Sequence, residues 1–205
     1  MTRWLGLFMI LCCSCSFATA AELDTRLHSI FQRLQKASAQ IESVESDFTQ
    51  EKVLAMFART LRSQGHLAFQ RERHLRWEIV KPTASGFVIN GDQGRRWHAL
   101  QDKDETFNLA GEPLIAAITE QLLAWFRADF ASLQRQYRIE PIETNPIHLR
   151  LYPNQTGLLR HIDIQFAFDD RSIARVELVE QDGDRTRLLF ANTRINSPLD
   201  PALFH

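Results

Sequence analysis

Cysteine, glycine and tyrosine are scarce in this chain, and each scarcity closes a possibility. The cysteines are Cys12, Cys13 and Cys15, so everything after Cys15 in the 205 residues lacks a disulfide, a thiolate nucleophile and a cysteine metal site. With 8 glycines and 7 prolines, collagen and low-complexity chains are excluded. Two tyrosines stand against 14 phenylalanines and 4 tryptophans. Phenylalanine supplies apolar area without a hydroxyl that must find a partner, which suits a dry interior or a dry pocket. An excess of either charge is also missing: 24 Lys and Arg against 25 Asp and Glu leave a formal net charge of -1, which argues against a nucleic-acid partner recruited by a basic field.

Long apolar runs are absent except at the start. Arg3 is the only charge before Glu22, and it precedes the apolar run from Trp4 to Leu11, which gives way to Ser14, Ser16, Ala18, Thr19, Ala20 and Ala21. That order predicts a secretory signal peptide over residues 1–20, with Ala18-Thr19-Ala20 as the cleavage site. A membrane anchor needs about 20 apolar residues, more than this run has. The competing reading is lipoprotein processing with Cys13 or Cys15 acylated, although the bulky and cysteine neighbours only loosely resemble such a site. The expectation is an exported, periplasmic chain from Ala21 to His205, one domain held by its hydrophobic core.

Leu23, Leu27, Ile30, Phe31, Leu34, Ala37, Ile41 and Val44 recur at three and four, predicting one amphipathic helix. The period then changes to two. Leu61, Leu67 and Phe69 share one parity against Arg62, Gln64, His66 and Gln70, and Leu75, Trp77 and Ile79 alternate with Arg76 and Glu78. Strands continue through Phe87 to Ile89, the turn Asn90 to Gly94, and Arg95 to Leu100, followed by a charged turn from Gln101 to Glu105. Pro113 opens a second helix with the stripe Leu114, Ile115, Ile118, Leu122, Trp125 and Phe126, and a shorter helix spans Asp129 to Tyr137. Ile147 to Leu151, Ile162 to Phe168, Ile173 to Glu180 and Arg185 to Ile195 complete a strand-rich last third. Short connections predict antiparallel neighbours, so the fold class is α+β, one long meander with helices on one side.

No G-x-S-x-G, H-E-x-x-H, G-x-x-x-x-G-K or G-x-G-x-x-G motif is present, and nothing nominates a nucleophile or a cofactor. His66, His74, His148 and His161 oppose the apolar parity of their strands, which predicts surface positions and no shared metal site. Asn154-Gln155-Thr156 matches a glycosylation triplet, a pattern that arises often by chance. Arg71 continues the parity of Leu67 and Phe69. It is read either as a turn residue within Arg71-Glu72-Arg73-His74 or as a guanidinium at the mouth of an apolar cavity.

Phe48-Thr49-Gln50, Gly65-His66-Leu67, Arg71, Leu75-Arg76-Trp77, Lys81-Pro82 and Asn90-Gly91 with Trp97 occur in an order and spacing that resemble the periplasmic outer-membrane lipoprotein carrier family, LolA. The dense match runs from Phe48 to Trp97, with further agreement at Gln181-Asp182 and Leu199-Asp200-Pro201. The resemblance implies an unclosed antiparallel half-barrel whose concave apolar face is covered by helices. It implies that acyl chains of a lipoprotein, or another lipid, enter that concavity against Leu67, Phe69, Arg71, Trp77, Ile79, Phe87 and Ile89. It also implies a lid carrying Leu114, Ile118, Leu122 and Trp125 that Arg71 latches, an inner-membrane donor transporter, an outer-membrane acceptor and no enzymatic activity. A monomer without cofactor or metal is expected. Two features depart from the family: Glu72 stands where its proline follows the arginine, and its further C-terminal segment has no counterpart after His205. An outer-membrane-anchored lipoprotein receptor of the same fold and a periplasmic lipoprotein-sensing regulator are the alternatives.

Overall fold

The structure is a computed structural model that describes residues 15–57, 59–71, 73–100, 103–112, 115–116, 119–120, 123–124, 127 and 129–205. Helix α1, Cys15–Ser38, starts inside the predicted leader and buries Ile30 and Leu34. It ends before the predicted Val44. The amides of Ala39 and Ile41 donate to the carbonyls of Gln35 and Ser38, and Val44 belongs to strand β1, Ser43–Leu54. The apolar spacing runs on past the helix because Ile41 and Val44 face the same core from a different backbone.

After β1 come β2 (Arg59–Gln70), β3 (His74–Lys81), β4 (Ser85–Asn90), β5 (Gln93–His98) and β6 (Lys103–Asn108). Helix α2, Phe130–Gln136, has Asp129 as its cap and precedes β7 (Tyr137–Thr144), β8 (Ile147–Pro153), β9 (Leu159–Phe166), β10 (Ile173–Glu180) and β11 (Arg185–Ile195). They form one antiparallel 11-stranded sheet in the order β6-β5-β4-β3-β2-β1-β11-β10-β9-β8-β7. The predicted single meander is therefore two, β1 to β6 and β7 to β11, joined where β1 pairs with β11. Among the described residues neither β6 nor β7 has a second neighbour, so the sheet curves without closing, and the fold is the α+β half-barrel expected. The charged stretch read as a turn from Gln101 to Glu105 is largely β6. Its Glu105 is held by Arg96 across the ladder, and its Asp104 by Arg95. Tyr137 begins β7 rather than ending a helix, and Phe168 lies beyond β9 at an exposed turn.

Register places the inner wall. Phe69, Leu75, Ile89 and Gly94 form one row across β2 to β5, and Leu67, Trp77, Phe87 and Arg96 form the next. On the other wing Leu188, Val176, Ile164 and Leu149 share the same face. The outer face carries ion pairs. His148 and His161 do point outward, but with Arg150 they surround Asp163 and are only partly exposed. Burial opposes ionisation of Asp163; the Arg150 hydrogen bonds and the charges of Arg150, His148 and His161 outweigh it and hold the carboxyl below its ordinary pKa.

Phe48, opposite Gly65, joins the wings on the inner face. Its ring stacks on Trp77 at a centroid distance of 4.4 Å and meets Phe190 of β11 at 6.3 Å. A Cβ on Gly65 would lie 2.4 Å from the Phe48 ring and 2.1 Å from the Glu78 carbonyl oxygen, so only glycine leaves the ring its place. Gly65→Ala is expected to lower the unfolding free energy in urea by about 1–3 kcal/mol, the usual cost of overpacking; an unchanged midpoint would show that the ring has another seat.

Candidate functional site

Half of the inner wall is packed and half is open. Leu67, Phe69 and Ile89 are buried in the core with Leu75 and Leu109, leaving no surface for a guest. Trp77, Ile79 and Phe87 are only partly buried and line a cleft of 390 Å³ with Ser85, His98 and Ile115. That volume lies in the range of small-molecule pockets. Ile115 comes from the described helical positions between β6 and α2, which are Ile115, Ala116, Thr119, Glu120, Leu123, Ala124 and Arg127. These sit above the wall: Thr119, Leu123 and Ala124 are buried, and Ile115 and Ala116 pack against the core. The predicted lid residues Leu114, Ile118, Leu122 and Trp125 lie outside the described residues, as does Glu72.

One rim of the cleft is charged. The Arg96 guanidinium sits 5.6 Å from the Phe107 ring centroid and pairs with Glu105 at 2.7 Å and with Glu112 at 3.2 Å. Arg96 is not among the residues singled out from the sequence, because no face is assigned to the strand from Arg95 to Leu100. Trp97 lies on the outer face, its ring against Gly86 and under the Arg76 and Arg95 guanidinium groups. Those arginines also donate to the carbonyls of Leu203 and His205, so Trp97, which contributes to the cleft lining, also sits in the cluster that holds residues 201–205.

Arg71 stands at the other end of the same strands. Its backbone amide donates to the Glu42 carbonyl, so the residue is in the turn, yet its side chain is not idle. Nε donates to the Ile41 carbonyl, and Nη2 donates to those of Ser38 at 2.8 Å and Ala39 at 3.1 Å. These carbonyls cap and follow the end of α1, and that of Ser38 also accepts the Ile41 amide; a cation there meets the favourable end of the helix dipole. Ser38 Oγ lies 3.1 Å from the Gln35 carbonyl and 3.3 Å from that of Arg127, its single proton serving one or the other, so Arg71 holds the residue whose hydroxyl can reach the covering helical positions. Arg73 reaches them directly, pairing with Glu120 at 2.8 Å and with Asp92 in the β4–β5 turn at 3.2 Å. A basic residue in a hairpin turn gives no sequence signal that separates such a strut from a solvated side chain. The larger groove beside Arg71, 640 Å³, is lined mostly by polar residues, among them Gln70, His74 and Asn196.

The fold is an open antiparallel half-barrel with a partly vacant apolar wall under helices. The chain belongs to the outer membrane lipoprotein carrier protein LolA family, whose profile matches residues 39–205. It is 27% identical over 205 residues to an outer-membrane lipoprotein carrier protein of Methylococcus capsulatus, covering 98% of this chain and 91% of that one. A carrier protein of Pseudoalteromonas translucida is 20% identical over 177 residues, covering 84% and 80%. The fold is also similar to that of part of a chain in the Pseudomonas aeruginosa MucA/MucB complex structure, with a TM-score of 0.53 at 14% identity, covering 85% of this chain and 59% of that one.

Arg71→Ala would remove the guanidinium from the carbonyls of Ser38, Ala39 and Ile41, of which that of Ser38 keeps the Ile41 amide. Unfolding free energy is expected to fall by about 1–3 kcal/mol, the scale of a charge-assisted hydrogen bond, with protease sensitivity rising first near Ser38; equal stability would mean that water replaces the guanidinium.

Proposed function

We propose that this protein is a periplasmic carrier that shields an acyl chain of a lipoprotein or another lipid during transit to the outer membrane, after cleavage of residues 1–20. The observation that carries the reading is the 390 Å³ cleft walled by Trp77, Ile79, Phe87 and Ile115. Each methylene moved from water into such a wall gains about 0.8 kcal/mol. A chain of a dozen or so methylenes would otherwise leave roughly 10 kcal/mol of exposed surface in the aqueous compartment. An open sheet under a helical cover can accept that chain and return it. Entry widens the gap between sheet and cover, and the ties through Arg73–Glu120 and Arg71–Ser38–Arg127 set how readily the cover lifts. No nucleotide-binding motif is present to drive release, so hand-over follows relative affinity at the receiving site. The family and the two carrier relatives support lipoprotein as the cargo class. The donor is an inner-membrane transporter and the acceptor an outer-membrane protein.

A dansyl-labelled fatty acid reads the cleft. The wild type is expected to bind it with a blue shift, and Ile79→Glu and Phe87→Glu to weaken binding by about tenfold or more, equivalent to 1.4 kcal/mol. Leu189→Glu, on the outer face, should leave it unchanged. No binding by the wild type, or equal loss in the outer-face variant, would contradict a lipid site in the cleft.

A further inference from the structure

The connection between β1 and β2 breaks the usual turn chemistry. Hairpin loops draw on Gly, Asn, Asp and Pro. Here the residues from Val53 to Phe57, Val53-Leu54-Ala55-Met56-Phe57, include none of these. Ala55–Phe57 forms a single 3-10 turn with no buried residue. Met56 is 88% exposed and Phe57 71%. The turn is held from outside: Asp184 of the β10–β11 turn accepts the Ala55 N–H at 2.8 Å, and an added Cβ at Gly183 would touch Ala55 at 3.4 Å. Two large apolar side chains are thus fixed outward by a neighbouring turn.

Register shows how far they reach. The last β2–β3 pair is Gln64 with Lys81, while β1 and β2 stay paired out to Leu54 with Arg59. The stretch from Arg59 to Ser63 therefore projects past β3 by roughly 17 Å at about 3.4 Å per residue. The same end of the sheet carries the β5–β6 turn with Leu100, 79% exposed, and the turn before β9 with Leu158, 66% exposed, whose carbonyl accepts from Gln181 beside Asp184. It is also the end of the apolar cleft, since Ile79, Ser85 and His98 occupy the last rungs of β3, β4 and β5. Arg71 and the covering ties lie at the opposite end.

We infer that this projecting hairpin docks on a phospholipid bilayer, with Met56 and Phe57 entering the interface and Lys52, Arg59 and Arg62 at the level of the phosphates. The hairpin from Glu51 to Arg62 has one carboxylate against three cations, and the two long cationic stems on either side of the apolar turn can follow it while keeping their charges wet. Arg62, 75% exposed, pairs with Glu51 at 3.0 Å and can exchange that partner, whereas Lys52 lies at the longer distance of 3.8 Å from the mostly buried Glu180. A narrow tip of two side chains cannot supply the roughly 800 Å² per partner of a specific protein interface, but it suffices for a weak, reversible membrane contact. Docking in this pose brings the cleft end to the membrane surface.

Flotation of the protein with protein-free vesicles of phosphatidylethanolamine and a minority of phosphatidylglycerol tests this. The wild type is expected to float, and M56S/F57S to float about tenfold less or lower, at an unchanged melting temperature because both side chains are exposed. Lys52→Gln with Arg59→Gln should weaken flotation on these vesicles more than on phosphatidylcholine alone. In Phe57→Trp, vesicles carrying brominated acyl chains should quench the new tryptophan. A wild type that stays in solution, floats no better than M56S/F57S, or binds only native membranes with their proteins overturns the inference. The dansyl fatty acid separates the two readings: M56S/F57S should bind it as the wild type does, so loss of docking and loss of the lipid site are read independently.

Discussion

The pairing of β1 with β11 is the constraint from which the rest of the molecule follows. It joins two meanders into one sheet and leaves β6 and β7 as the two ends, each with an unpaired edge. A curved sheet with free edges cannot fill its own interior as a small barrel does, so its concave face has to be covered by something else. Helix α1 and the helical positions between β6 and α2 serve that purpose. At the join, Phe48 occupies the space that Gly65 leaves and stacks on Trp77, which carries the order of the join into the open half of the wall. Phe48, Gly65 and Trp77, far apart in the chain, are one structural unit.

The concave face divides by depth. Toward the Arg71 end, Leu67, Phe69, Leu75 and Ile89 are close-packed core, which at crystal-like density holds no guest. Toward the other end, Trp77, Ile79 and Phe87 face a gap roofed by Ile115. One end therefore supplies stability and the other supplies room. Arg71 belongs to the first: it satisfies the carbonyls at the end of α1 and touches the cover through Ser38. Arg73 and Arg96 place charges between sheet and cover, Arg73 on Glu120 and Arg96 on Glu112. Exposed pairs of this kind are individually weak, which suits the proposed lifting of the cover.

Much of this was legible in the chain. Period-two patterning located β2, β3, β8, β9 and β10 because each has one dry face and one wet face, and the short polar turns between them predicted antiparallel pairing. The strands that escaped have physical reasons. β1 alternates Val44, Ser46, Phe48 and Gln50 inward, so half of its inner face is polar and the alternation of hydrophobicity is faint. β6 is charged because Asp104 and Glu105 answer Arg95 and Arg96 across the ladder. β7 carries Pro141, which an edge strand tolerates and a pattern search rejects. The cleft was visible in part, through Trp77, Ile79 and Phe87. Nothing in periodicity separated them from Leu67, Phe69 and Ile89, because parity reports which face a residue takes and not how closely that face is covered.

The central claim is that the open half of the wall exists to be filled. Native mass spectrometry of the protein released from the periplasm without detergent tests it most directly. The account predicts a population carrying a lipid mass that organic extraction removes, and less of it when a carboxylate replaces Phe87. A bare polypeptide mass under gentle ionisation, identical before and after extraction and in the Phe87 variant, would contradict it.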